Sequence, residues 1–104
     1  MQLRFPNPQI RRLVEGNGSF PGIDGDALER FFEVIAVVGA ARSIDDFTAL
    51  RAFSPTRLDG VASRRWAIPI GPTWQVVLAI EGSGSSQTAS LQDIQSRPHL
   101  RRTK

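Results

Sequence analysis

The sequence predicts an α+β fold, with an N-terminal strand and two to three helices packed on a small curved antiparallel sheet. Three observations predict it. Apolar residues recur at helical spacing between Leu28 and Val38, apolar residues alternate at strand spacing between Trp66 and Ile80, and the two patterns occupy separate parts of the chain. A chain of 104 residues that is 40% hydrophobic fits one domain with a modest core, set here at residues 1–96, followed by a basic tail at 97–104.

Gln2 to Phe5 alternates polar and apolar residues and suits a short first strand. Asn7-Pro8 offers a capping side chain followed by proline at the first helical position, and Ile10, Leu13 and Val14 form one stripe on the short helix behind it. Gly16 to Gly25 holds four glycines and a proline and reads as a loop. Asp26 with Glu29 three residues on reads as a capping box. It opens the longest helix, whose stripe is Leu28, Phe31, Phe32, Ile35 and Val38. Gly39 and Arg42 mark its end. Ser43, with Asp45 and Asp46 behind it, starts a third helix through about Leu50, with Ile44, Phe47 and Leu50 as packing residues.

Ser54 to Ser63 reads as a loop. Trp66, Ile68 and Ile70 then alternate with Arg65, Ala67 and Pro69. Proline has no N–H for a ladder, so Pro69 belongs on a free edge or at a bulge. Gly71-Pro72 is a turn, and Thr73 to Ile80 is the best strand of the chain, with Trp74, Val76, Leu78 and Ile80 on one face. A polar turn at Gly82 to Ser86 leads to a weaker strand near Thr88 to Ile94, which completes a three-stranded meander.

Composition excludes several function classes. There is no cysteine and one histidine, so neither thiolate nor paired-imidazole metal sites are available, and no metal or other cofactor is expected. The longest apolar run, Val34 to Ala41, falls far short of the roughly 20 residues that span a bilayer, and no signal-peptide pattern opens the chain. The expectation is a cytoplasmic protein without membrane contact. The formal net charge is +3, but Arg97, Arg101, Arg102 and Lys104 put four bases and no acid in the last eight residues, which leaves −1 on the rest. That tail reads either as a solubilising end or as an arm that contacts phosphates. In the body, Arg51, Arg57, Arg64 and Arg65 cluster before the hairpin against Asp59 alone. Arginine is suited to bidentate phosphate contacts.

The run Trp66-Ala67-Ile68-Pro69-Ile70-Gly71, followed by Trp74-Gln75-Val76, resembles the sheet core of HigB-like and RelE-like toxins of bacterial type II toxin–antitoxin systems, the plasmid maintenance killer family. Ala41 to Phe47 is similar to the short acidic helix that leads into the basic loop of such toxins, and the order of elements agrees over roughly residues 1 to 94. The resemblance implies a RelE-like fold, a cognate antitoxin as partner, and mRNA on the ribosome as substrate. The reaction it implies is attack of an RNA 2′-hydroxyl on the adjacent phosphate, which needs a proton acceptor, a proton donor and cations around the developing charge.

Carried over residue by residue, Arg57 falls in the basic loop, and Arg64 and Arg65 stand beside the first sheet residue. Gln75 occupies the place directly after Trp74 where the family carries an arginine. The family's acid is a tyrosine or histidine near the last strand. This chain has no tyrosine, so His99 is the candidate for proton transfer, and Ser54 and Asp93 are further polar candidates. The expected catalytic set is Arg57, Arg64, Arg65, Gln75 and His99. The expected RNA-binding set is Arg51, Arg57, Arg64, Arg65, Arg97, Arg101 and Arg102. Two functions stay open: a ribosome-dependent mRNA endonuclease toxin, and a toxin-fold module that binds an antitoxin-like protein or the ribosome without cutting RNA. A DNA-binding protein is the weaker third, for want of a helix-turn-helix pattern.

Overall fold

The computed structural model describes residues 1–16, 18, 20–60, 64–83 and 86–96. Strand β1 (Gln2–Arg4) is followed by helices α1 (Pro8–Val14), α2 (Gly25–Ala40) and α3 (Ile44–Thr48), a 3-10 turn (Arg51–Phe53), and strands β2 (Thr56–Arg57), β3 (Arg65–Pro69), β4 (Trp74–Glu81) and β5 (Thr88–Ser96). The strands form one sheet in the order β1-β5-β4-β3-β2. Three helices on a mostly antiparallel sheet is the α+β class that the sequence predicts.

The sheet is larger than the predicted meander at both ends. Thr56 and Arg57, inside the expected loop, pair with Ala67 and Trp66 as a short edge strand. On the opposite edge β1 runs parallel to β5, with Gln2 beside Thr88 and Arg4 beside Ser90. This departs from a purely antiparallel sheet because the chain returns to the first strand only at its last one, after three helices. Pro69 meets its prediction. Ile70 N donates to Trp74 O of β4, so alternation turns the Pro69 nitrogen to the β2 side, where pairing has already ended at Thr56 and Ala67.

The helix starts obey local chemistry with two corrections. Asn7 caps α1 as expected, accepting from Gln9 N at 2.9 Å and Ile10 N at 3.4 Å. The cap of α2 is Asp24 and not Asp26: Asp24 has extended backbone angles and its Oδ1 accepts from Ala27 N at 2.8 Å, so Gly25 is already helical. Helix α3 stops at Thr48, and Ser43 makes no side-chain cap bond. As a result Leu50 is 41% exposed and does not join the core.

The core lies between the helices and one face of the sheet. From α1 and α2 it takes Ile10, Leu13, Ala27, Phe31, Val34 and Val38, and from α3 Ile44 and Phe47. The sheet contributes Ile68 and Ile70, Val76, Leu78 and Ile80, and Ala89, Leu91 and Ile94. Phe32 is 38% exposed, so the buried stripe of α2 is centred on Phe31 and Val34, with Leu28 and Ile35 as half-buried flanks.

Leu91 and Ile94 cannot share a face in a regular strand, because side chains alternate. They do so here because the β4–β5 register shifts: Val77 lies opposite Asp93 and Leu78 opposite Leu91, which leaves Gln92 as an extra residue. The bulge turns Asp93 away from the core and brings Ile94 in.

Candidate functional site

The sheet face without helices carries the polar side chains that the fold brings together. Register places Arg4, Ser90, Ala79 and Arg65 in one row across β1, β5, β4 and β3, Asp93, Val77 and Ala67 in the next, and Gln95, Gln75 and Pro69 in a third. The middle of this face is built from small residues. Ser90, Val77 and Ala67 are only 3, 1 and 4% exposed, yet Val77 and Ala67 lie outside the helix-side core. Longer polar side chains surround this floor.

At one end, three residues form a chain of hydrogen bonds. Gln75 Nε2 donates to Gln95 Oε1 at 3.4 Å, Gln95 Nε2 donates to Asp93 Oδ2 at 3.2 Å, and Asp93 Oδ1 accepts from Ile94 N at 2.9 Å. All three are half-buried. The bulge makes this possible, because without it Asp93 would point at the helices. At the other end Arg65 Nη1 pairs with Asp59 Oδ2 at 2.7 Å, and Arg4 Nη1 pairs with Glu81 Oε1 at 2.8 Å on the far edge.

The residues expected from the sequence divide between surfaces. Arg65 and Gln75 share the helix-free face. Arg57 does not: it lies opposite Trp66, whose ring packs on the helix-side core, and its guanidinium carbon sits 4.8 Å from the centre of that ring. The Arg64 guanidinium donates to the Gly82 carbonyl at the end of β4. Arg51 is exposed in the 3-10 turn, ahead of β2. Ser54 adopts a left-handed backbone (φ 47°) and its hydroxyl donates to the Arg51 carbonyl at 3.3 Å. His99, Arg97, Arg101 and Arg102 lie outside the described residues.

Gln95 was missed by the sequence reading, which ended the strand at Ile94. The available signal was Gln75 itself, because a half-buried amide in a central strand needs a polar neighbour across the ladder. Among the described residues no group of histidine and carboxylate side chains could hold a metal ion. The arrangement supplies the Asp93 carboxylate as a proton acceptor, two amides and two acid-paired arginines. A cleft of about 530 Å³ lies elsewhere, at the N-terminus, lined by Met1, Gln2, Gly39, Ser86, Gln87 and Thr88.

No protein-family model matches this chain, and no curated protein matches it. Among solved structures the fold is similar to that of a bacterial toxin. A YoeB/ParE toxin from Agrobacterium tumefaciens is similar over 94% of this chain and 100% of that one, with a TM-score of 0.57 and 17% sequence identity. At that identity the likeness is one of fold. It agrees with the toxin-type fold expected from the hairpin and does not single out the HigB-like branch.

Proposed function

We propose that this chain is the toxin component of a toxin–antitoxin pair, working in the cytoplasm with a cognate antitoxin, and that it acts on its target by binding and not by cutting RNA. The observation that carries the second half is Gln75. In the family resembled, the residue after the central-strand aromatic is a cation that stabilises charge on the scissile phosphate. Here it is a neutral amide that donates to Gln95, which in turn donates to Asp93. Loss of one preorganised charge-stabilising group typically costs about 100-fold to 1,000-fold in rate. Among the described residues Arg57 is turned to the other face and Arg65 is paired with Asp59, so these two arginines do not converge beside Gln75. The toxin-type fold supports the first half.

The second reading, an mRNA endonuclease that attacks through the 2′-hydroxyl on the ribosome, is favoured by the presence of Arg65, Gln75 and Asp93 on one face. Induced expression in bacteria, with growth followed and primer extension run on a reporter message, tests both. Growth arrest with intact message is expected. New ends inside translated codons that disappear in an Arg64→Ala/Arg65→Ala variant would establish the endonuclease, and unimpaired growth at confirmed expression would overturn the toxin reading.

A further inference from the structure

Asp93 is a half-buried carboxylate on the helix-free face whose contacts are neutral donors. Its Oδ1 accepts from Ile94 N at 2.9 Å and its Oδ2 from Gln95 Nε2 at 3.2 Å. Among the described residues no cation pairs with it, because the arginines of that face are matched to other acids, Arg4 to Glu81 and Arg65 to Asp59. Those charges cancel, and Asp93 is left uncompensated. An ionised carboxylate has about four lone-pair sites, so about two stay open here. Gln75 adds another acceptor: its Nε2 donates to Gln95, and its Oε1 has no partner among the described residues. Since no buried side-chain oxygen among them lacks a partner, that Oε1 is within reach of solvent.

From this array we infer a docking site for an arginine side chain of a protein target, its guanidinium seated on the Asp93 carboxylate with a further N–H to Gln75 Oε1. Open acceptors beside an uncompensated negative charge select a cation rich in donors, and the planar fork of a guanidinium meets a carboxylate with paired N–H groups. A lysine ammonium gathers its donors at one point and matches this array less well. Phosphate offers only acceptors and shares the sign of Asp93, so an RNA backbone is repelled here. A base edge offers N–H donors but brings its phosphates with it, and both arginines of this face are already paired with acids. Pro69, opposite Gln75 in the ladder and half-buried, supplies an apolar neighbour for the methylene stem. Because Gln95 and Ile94 N hold the carboxylate in place before binding, little side-chain entropy is lost when the guanidinium docks.

This site rests on the reading that the protein meets its target by binding, and it names the chemistry of that contact. Displayed random peptides are selected against the full chain, and the winners are measured on three variants, each checked for folding by thermal melting. Asp93→Asn keeps the shape and removes the charge, Gln75→Arg fills the site from within the strand, and Asp26→Asn removes an exposed carboxylate from α2. The expected winners share an arginine at one position. They lose about 10-fold to 100-fold in affinity on the first two variants, the range for hydrogen bonds to a charged group, and change by less than about twofold on the third. Lysine in place of the shared arginine weakens them, and the side-chain amide NMR signals of Gln75 and Gln95 shift on binding. Winners without arginine, no specific winners, unchanged affinity for Asp93→Asn, or unmoved amide signals would overturn the site. So would an RNA oligonucleotide that outcompetes every peptide and is weakened by Asp93→Asn, which would make the ligand a base. Peptides that bind only after Arg97, Arg101 and Arg102 are replaced by glutamine would overturn it too, since the occupant would then belong to this chain. Failure here with growth arrest intact sinks the site alone, and arginine-dependent binding without growth arrest sinks the toxin reading alone.

Discussion

The Asn7 side-chain amide donates to the Gln92 carbonyl at 3.2 Å, which ties the cap of α1 to the bulge of β5. One side chain therefore serves two jobs. Its oxygen satisfies the first N–H groups of the helix, and its nitrogen takes up the carbonyl that the bulge leaves without a ladder partner. The bulge turns Asp93 onto the helix-free face, so the geometry of the candidate site depends on a residue that never touches that site.

Substitution at Asn7 separates the two roles. Asn7→Ala removes both and should cost about 2 kcal/mol, from a lost cap and a lost hydrogen bond. Asn7→Asp keeps the acceptor for the helix N–H groups, loses the donor, and sets a carboxylate against the Gln92 carbonyl, so about half of that loss should remain. Urea unfolding measures the difference. Equal stability of the Asp variant and the native chain would show that the link to Gln92 contributes nothing.

The two phenylalanines that the sequence treats alike should behave differently. Phe47 is fully buried in the core and touches Phe53, with ring centres 5.6 Å apart, whereas Phe32 is 38% exposed. Phe47→Ala should cost about 3–5 kcal/mol and Phe32→Ala less than about 1 kcal/mol. Thermal melting of the two variants side by side checks this, and comparable losses would mean that the flank of α2 is covered in solution.

Much of this was legible from periodicity. The stripe of α2 and the alternation from Trp66 to Ile80 gave the helix, the hairpin and the core face, because each pattern is set by the geometry of its own element. What periodicity could not show were the features made by partners distant in sequence. Thr56-Arg57 is too short to read as a strand and becomes one only beside Ala67 and Trp66. The last strand reads as weak because the extra residue at Gln92 breaks its alternation, and so Gln95 was not connected to Gln75. Arg57 and Arg65 look like one basic cluster in sequence. The sheet separates them because the side chains opposite Trp66 and opposite Ala79 leave on different faces.

Two glycines with nearly the same backbone angle should respond unequally to alanine. Gly22 (φ +84°) and Gly82 (φ +83°) both occupy the left-handed region, which costs other residues about 1 kcal/mol. A methyl group at Gly22 would meet the Trp74 ring at 3.6 Å, an ordinary contact, so Gly22→Ala should cost about that amount and no more. At Gly82 the methyl carbon would lie 2.5 Å from the Ser86 carbonyl oxygen, a backbone atom of the same turn. The β4–β5 connection must therefore shift, and Gly82→Ala should cost about 1–3 kcal/mol more than Gly22→Ala. Urea denaturation ranks the pair, and equal losses would mean that the turn relaxes freely.

Restoring an arginine after Trp74 asks whether one charge is all that separates this face from an RNA-cleaving one. In Gln75→Arg the new guanidinium would lie within reach of Gln95 and Asp93, which now bond in a chain with Gln75. It would pair with the Asp93 carboxylate and so neutralise the group best placed to accept a proton. The chain has no tyrosine to act as the acid, and Arg57 stays over Trp66 on the other side of the sheet. The variant should therefore show no new ends within translated codons by primer extension, while melting at a temperature equal to or above that of the native protein because of the added ion pair. Codon-internal cleavage in Gln75→Arg, lost again in Gln75→Arg/Asp93→Asn, would show the opposite. It would mean that proton transfer is intact on this face, and that the native chain lacks only the charge that steadies the phosphate.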